Sequence, residues 1–137
     1  MNDYSKSPFK NMTTELEQMF TDGFCYVLAV ELAKHFDLEV YSCDEHAVVK
    51  TKTGKYLDIL GTYRTLKDLD NWNGRWVKVP ADYSSFPDWD ITGECSQGMS
   101  LQKAKRLAKR LIKSGIKEKF MRHFVSKKEL KQVLQAA

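Results

Sequence analysis

The most constraining feature of the sequence is an apolar helical stretch, DGFCYVLAVELAKHF at residues 22–36, followed at once by segments that alternate as strands do. The apolar positions on one face of this helix are Val27, Leu28, Leu32 and Ala33 or Phe36. Next come LEVYS and two β-rich segments, HAVVKT and KYLDIL, around Thr53-Gly54, a pair typical of a tight hairpin turn. This order predicts an α+β fold in which a small antiparallel sheet packs on the helix.

Capping signals mark further helices on both sides of this unit. Thr14-x-x-Glu17 reads as a capping box that opens a short first helix. Ser100 precedes an i, i+3, i+4 apolar pattern that ends at Gly115, and Ser126-x-x-Glu129 opens a last helix. Between the hairpin and Ser100, the segment RWVKVP predicts another strand, and residues 81–98 predict a mostly irregular loop. Gly61 is expected to end the second arm of the hairpin.

Composition narrows the class of protein. A chain of 137 residues with 42% apolar residues is long enough for one globular domain. We expect no membrane association, because no apolar run reaches about 18 residues, and no secretion, because the amino end lacks a signal core. Three cysteines without C-x-x-C spacing favour a reducing cytoplasm over a disulfide framework or a structural zinc. We therefore expect neither a metal nor an organic cofactor.

Charge divides the chain into two parts. Residues 1–98 carry 10 Lys/Arg and 16 Asp/Glu, a net charge of −6, whereas residues 99–137 carry 12 and 2, a net charge of +10. We expect a compact unit at 1–98 and a basic helical segment at 99–137, packed on or appended to the same domain. The predicted polyanion-binding residues flank the apolar stripe of the helix after Ser100 and are Lys103, Arg106, Lys109, Arg110 and Lys113.

Three residues have the chemistry of a thiol site. Cys25 stands at a helix start, where unpaired backbone N–H groups favour a thiolate. His46 begins one hairpin arm and Asp58 lies late in the other, so the histidine can exchange a proton with the thiol while the aspartate orients its ring. A turn centred on 53–54 places Asp58 near Val49, about three positions from His46. Asp58 can share the face of His46, and turn geometry could shift this register by a residue or two.

These residues resemble a known superfamily. Gly23-x-Cys25-aromatic at a helix start, a histidine opening a strand, and Gly54-x-x-x-Asp58 on the next strand are similar to the papain-like cysteine proteinases. The order is most similar to their transglutaminase-like branch, and residues 18–61 carry the resemblance. It implies Cys25 as nucleophile, His46 as base, Asp58 as orienting acid and Gln18 as a helper for the oxyanion, with a protein or peptide as substrate. The sequence departs from the family in a short segment before the histidine and in Ala47, where an aromatic residue often stands.

Each of these residues also has an ordinary structural interpretation. A lone cysteine on a helix is usually core, a histidine at a strand edge is usually on the surface, and Asp58 could form a turn. We interpret Cys43 and Cys95 as structural, His35 as a charge at a helix end, and His123 as part of the basic surface. A further set of aromatic residues predicts core and loop packing, although some of them could wall a substrate groove: Tyr63, Trp72, Trp76, Tyr83, Phe86 and Trp89.

Two functional hypotheses follow. The first is a thiol-dependent hydrolase or acyl-transferase that acts on an amide through Cys25, His46 and Asp58. The second is a non-catalytic binding protein whose basic helices hold nucleic acid or an acidic host protein. A small enzymatic unit joined to a basic segment would fit a phage or mobile-element accessory protein.

Overall fold

The computed structural model describes residues 4–21, 23–69, 74–86 and 100–135. The helices and strands in these ranges are α1 (Thr14–Thr21), α2 (Cys25–Phe36), β1 (Glu39–Ser42), β2 (Ala47–Lys50), β3 (Tyr56–Asp58), β4 (Gly61–Tyr63), β5 (Val77–Val79), α3 (Leu101–Ser114) and α4 (Lys127–Gln135). Short 3-10 helices lie at Leu66–Leu69, Tyr83–Ser85 and Glu118–His123. The predicted α+β fold is confirmed. Most of the predicted loop at 81–98 lies outside the described residues, as do Trp72, Trp89 and Cys95.

The five strands form one antiparallel sheet in the order β4-β3-β2-β1-β5. The β4 strand was not predicted, because Gly61 was expected to end a strand and instead begins one. The chain reverses tightly after Asp58, which pairs with Gly61. Both edges of the sheet, β4 and β5, are only three residues long.

Helix α2 is the centre of the core. Eight of its twelve residues are buried, from Cys25 to Val30 and at Leu32 and Ala33. It packs on β1, β2 and β3, and also contacts α1 and α3. A helix enclosed on several sides needs apolar residues around most of its circumference, which is why its pattern is wider than the single predicted stripe.

The β2–β3 connection differs from the predicted turn by one residue. Thr51 and Lys55 close a loop of three residues, since the Thr51 backbone N–H donates to the Lys55 carbonyl at 2.7 Å. Gly54 ends this loop with φ +81°, as in the three-residue hairpins that finish on a left-handed glycine. Val49 therefore pairs with Leu57, and Asp58 is level with residue 48 instead of Val49.

The basic segment packs on the same core. Ser100 caps α3 through the Lys103 N–H at 3.2 Å, as predicted, and Ser126 caps α4 through the Glu129 N–H at 3.2 Å. The buried positions of α3 face α2 and are Ala104, Ala108, Leu111 and Ile112. Beyond α3, Ile116 forms a bridge with Phe9, which ties the segment to the beginning of the chain.

His123 corrects one prediction, because it is buried and does not belong to the basic surface. Its Nδ1 is hydrogen-bonded to the Thr53 hydroxyl, and its carbonyl accepts from the Lys52 N–H at 2.9 Å, so the tip of the β2–β3 hairpin docks on it. Burial lowers the pKa of His123, and the positive charges of Arg122 and Lys55 act in the same direction.

Among the helices of the described ranges, we find none with the length and apolar character that crossing a membrane requires.

Candidate active site

A buried histidine–aspartate pair forms the polar centre of the candidate site. His46 lies just before β2 and Asp58 ends β3, and His46 Nε2 is 2.9 Å from Asp58 Oδ2. Their exposed fractions are 0% and 5%. The second oxygen, Asp58 Oδ1, accepts from the Leu60 N–H at 2.9 Å, the Gly61 N–H at 3.3 Å and the Tyr63 hydroxyl at 3.2 Å. The predicted contact between His46 and Asp58 is thus present, and the Asp58 carboxylate takes part in four hydrogen bonds.

The hairpin register explains why this contact forms. In the predicted register Asp58 lay opposite Val49, whose side chain points to the other face of the strand from that of His46. The three-residue loop moves Asp58 by one position, level with residue 48 and two positions from His46. Residues related in this way share a face and are diagonal neighbours, within reach of long side chains.

Cys25 lies at the first position of α2, as predicted, and near Asp58. The backbone N–H groups of Ala47 and Tyr26 lower the pKa of its thiol, and Ala47 directly follows His46 in the chain. Cys25 and Asp58 also line one small internal cavity of about 10 Å³ between α2 and the sheet. The structure therefore brings Cys25 close to Asp58 and to Ala47, while Asp58 contacts His46.

The prediction that the pKa of the Cys25 thiol is lowered is wrong. The helix start and a histidine partner were expected to outweigh burial, but only 3% of Cys25 is exposed, and burial raises the pKa of its thiol to about 12. The backbone donors at Ala47 and Tyr26 act in the opposite direction, and the negative charge of Asp58 adds to the rise. In this conformation the thiol is protonated at neutral pH.

Trp76 covers one side of the site. Its indole packs edge-on against the His46 ring, with ring centroids 6.2 Å apart and an interplanar angle of 80°. The indole is half-buried, whereas the imidazole is fully buried. Gly74, at φ +97°, lets this segment approach Asp44 so closely that an added Cβ would lie 2.5 Å from the Asp44 Cγ. The sequence indicated a turn at Gly74 and an aromatic packing residue at Trp76, but not that Trp76 contacts the histidine.

Other predicted residues lie apart from this centre. Gln18 is in the middle of α1 with an exposed side chain, and its role as an oxyanion donor stays a prediction. Cys43 is buried, in agreement with a structural role, and its N–H donates to the His46 carbonyl at 2.9 Å. His35 is exposed in the last turn of α2, where its charge would suit the helix dipole.

The predicted polyanion-binding residues all lie exposed on α3. At 100° per residue Lys103, Arg106, Lys109, Arg110 and Lys113 fall within an arc of about 120° along about 15 Å of helix. We call these five residues the α3 basic face. Within the described ranges the one ion pair of a lysine or arginine joins Lys78 to Glu39 at 3.0 Å, away from this face.

Residues 4–21, 23–69, 74–86 and 100–135 contain no group of three or more histidine, cysteine or acidic side chains that could hold a metal ion.

Comparison with known proteins finds no relative of this chain. The sequence matches no protein-family model and no curated protein, and the fold matches no solved structure.

Proposed function

We propose that the protein is a thiol-dependent hydrolase or acyl-transferase that acts on an amide through Cys25, His46 and Asp58. The observation that carries the proposal is the buried His46–Asp58 pair at 2.9 Å, whose aspartate lines one small cavity together with Cys25 and Ala47. The resemblance of residues 18–61 to the papain-like superfamily gives the same three residues the same roles.

The cost of burying this pair supports a functional reading. Taking an ionisable histidine and a carboxylate out of water is expensive, and a well-packed apolar pair of similar size is often as stable or more stable. Stability of the core therefore gives little reason to place His46 and Asp58 beside a cysteine at a helix start. A proton-transfer site gives such a reason, since it needs a histidine whose ring is fixed by an acid.

The chemistry starts from a neutral thiol. Asp58 accepts a hydrogen bond from Nε2–H of His46, so Nδ1 is the nitrogen that takes the thiol proton. As it does, the Cys25 sulfur bonds to the substrate carbonyl carbon and the carbonyl electrons move to oxygen. When the tetrahedral intermediate collapses, the carbon–nitrogen bond breaks and His46 gives its proton to the leaving amine. Water or a second amine then attacks the thioester carbon and gives a proton to His46. The carbon–sulfur bond breaks, the Cys25 sulfur takes that proton, and the acid or the new amide leaves.

This reaction requires the site to open. His46 and Cys25 are enclosed, and a cavity of about 10 Å³ holds at most one water molecule. In the proposed reaction the substrate reaches the thiol only after the packing around His46, which includes the half-buried Trp76, has loosened.

Acetylation by p-nitrophenyl acetate tests the proposal. We expect release of p-nitrophenolate together with an acetyl group on Cys25, located by peptide mass mapping. The Cys25→Ser variant should lose this thioester, while Cys43→Ser, which removes the other described buried thiol, should keep it. Acetylation of Cys25 no faster than that of Cys43 in the folded protein would count against an active site.

The α3 basic face supports a second function, binding of a nucleic-acid backbone. Five exposed cations on one arc, without ion-pair partners in the described part of the chain, repel one another and favour a polyanionic ligand. Nucleic acid fits this surface because its phosphates repeat at short, regular intervals along a strand.

The salt dependence of binding checks this second function. For a duplex DNA of about 20 base pairs, each phosphate contact contributes about 0.9 to the slope of log K against log salt. Replacing Arg106 and Arg110 by Gln in the full chain should lower the slope by about 1.8, while the same change at Lys127 and Lys128 on α4 serves as the charge-matched control. Equal loss in both double variants would show that net charge alone is responsible, and binding to an acidic protein but not to DNA would reject the nucleic-acid partner.

A further inference from the structure

Apart from His46, Tyr63 is the one side chain among the described residues that donates a hydrogen bond to Asp58. Its hydroxyl donates to Asp58 Oδ1 at 3.2 Å, whereas the other donors to that oxygen are the backbone N–H groups of Leu60 and Gly61. All three donors approach the oxygen that does not face His46. They therefore fix the rotation of the carboxylate, and with it the direction in which Oδ2 points.

The sheet holds Tyr63 in this position. Tyr63 lies on the edge strand β4 and pairs with Tyr56 of β3, while Gly61 pairs with Asp58 in the same hairpin. Aspartate and tyrosine are thus on adjacent strands whose separation is set by backbone hydrogen bonds. A rigid aromatic side chain with two torsion angles can reach across this hairpin at a small loss of conformational entropy.

The hydroxyl stays a donor over the neutral range. Burial raises the pKa of Tyr63, and the negative charge of Asp58 and the hydrogen bond to it act in the same direction. The Tyr63 hydroxyl therefore keeps its proton and donates it to the hydrogen bond with Asp58 throughout the neutral range. A histidine at the same place would titrate within that range.

We propose that Tyr63 is a positioning residue for the thiol site, holding Asp58 so that Oδ2 accepts the Nε2 proton of His46 and leaves Nδ1 as the proton acceptor. This inference rests on the proposed function and names a residue outside the three with which it began. Tyr63 acts through Asp58 and touches neither the thiol nor the imidazole in the contacts described above. Its loss leaves the backbone donors at residues 60 and 61 in place, so the carboxylate stays bound but turns more freely.

The test compares Tyr63→Phe with Tyr56→Phe in the full-length chain. Both variants remove one hydroxyl from the same hairpin, but the Tyr56 ring packs edge-on against Tyr41, with centroids 5.4 Å apart, on the strand opposite Tyr63. The first readout is the proton resonance of His46 Nε2–H in the resting protein, assigned by its absence in His46→Gln. We expect exchange of this proton with water to be about tenfold faster in Tyr63→Phe and unchanged in Tyr56→Phe.

The second readout is acetylation of Cys25 by p-nitrophenyl acetate. We expect the maximal rate to fall about tenfold in Tyr63→Phe, with the half-saturating ester concentration unchanged, because the residue orients the base and does not bind the ester. Unchanged proton exchange in Tyr63→Phe, or an equal change in both variants, would overturn the positioning role. Failure of the proposed function looks different, since the parent protein would not form the thioester, and the proton resonance would still decide how Tyr63 acts on Asp58.

Discussion

Replacing Asp58 by Ala is expected to lower the free energy of unfolding by about 3–5 kcal/mol, because each buried donor left without a partner costs about 1–3 kcal/mol. The loss is large because Asp58 is the acceptor for His46 Nε2, Tyr63 and two backbone N–H groups. The substitution leaves these donors without their acceptor in a site that is almost closed to water. Urea unfolding followed by circular dichroism measures the change.

Asp68→Ala is the matched control for this measurement. Asp68 is exposed on the 3-10 helix Leu66–Leu69 and accepts from the Thr65 N–H at 3.2 Å. Its removal is expected to cost less than about 1 kcal/mol. If Asp58→Ala lowers the free energy of unfolding no more than Asp68→Ala does, then Asp58 is not the buried acceptor of the network, and the proposed site is wrong.

The sequence was sufficient for the local elements that carry the site. Cys25 follows a glycine and precedes an apolar run, and the run forms α2 from that residue. The caps at Ser100 and Ser126 also lie where the pattern of polar and apolar residues predicts them. These features depend on neighbours within one helical turn, which a single sequence displays directly.

The contact between His46 and Asp58 depended on one residue of hairpin register. Thr53-Gly54 indicates a turn but does not distinguish a two-residue turn from the three-residue loop closed by Thr51 and Lys55. That choice decides which face of the sheet Asp58 joins, because side chains alternate along a strand. The sequence therefore predicted a nearby pair, and the structure supplied the geometry.

The burial of Cys25 could not be read from its neighbours in sequence. Its small cavity is lined by residues from α1, from α2 and from the β2–β3 hairpin, including Phe20, Leu28 and Ile59. Only the tertiary fold brings these apolar side chains around the sulfur. The sequence indicated the forces that favour a thiolate, which are local, and missed the desolvation that opposes it, which is not.

The enclosed thiol leads to the largest expected effect, a loss of about 10²–10⁴-fold in Cys25 acetylation when His46 is replaced by Gln. A glutamine side chain can donate to Asp58 but cannot take a proton from the thiol, so the change removes the base and keeps much of the packing. Asp58→Asn should fall between this variant and the parent, because an amide orients the imidazole less well. Each variant's rate is divided by the parent's rate. How often the closed site opens affects both rates equally and cancels in this ratio.

The pH dependence of acetylation separates catalysis by His46 from simple ionisation of the thiol. Since burial raises the pKa of Cys25 to about 12, an unassisted thiol reacts only through its small thiolate fraction. That fraction grows about tenfold per pH unit below the pKa, so the rate in His46→Gln should rise about a hundredfold between pH 7 and 9. In the parent the histidine removes the proton during attack, and the rate should change far less over the same range.

His35→Gln, an exposed change at the end of α2, is the control and should behave as the parent does. A His46→Gln protein that is acetylated within about threefold of the parent rate at pH 7 would show that His46 is not the base, and Cys25 would then be a core residue.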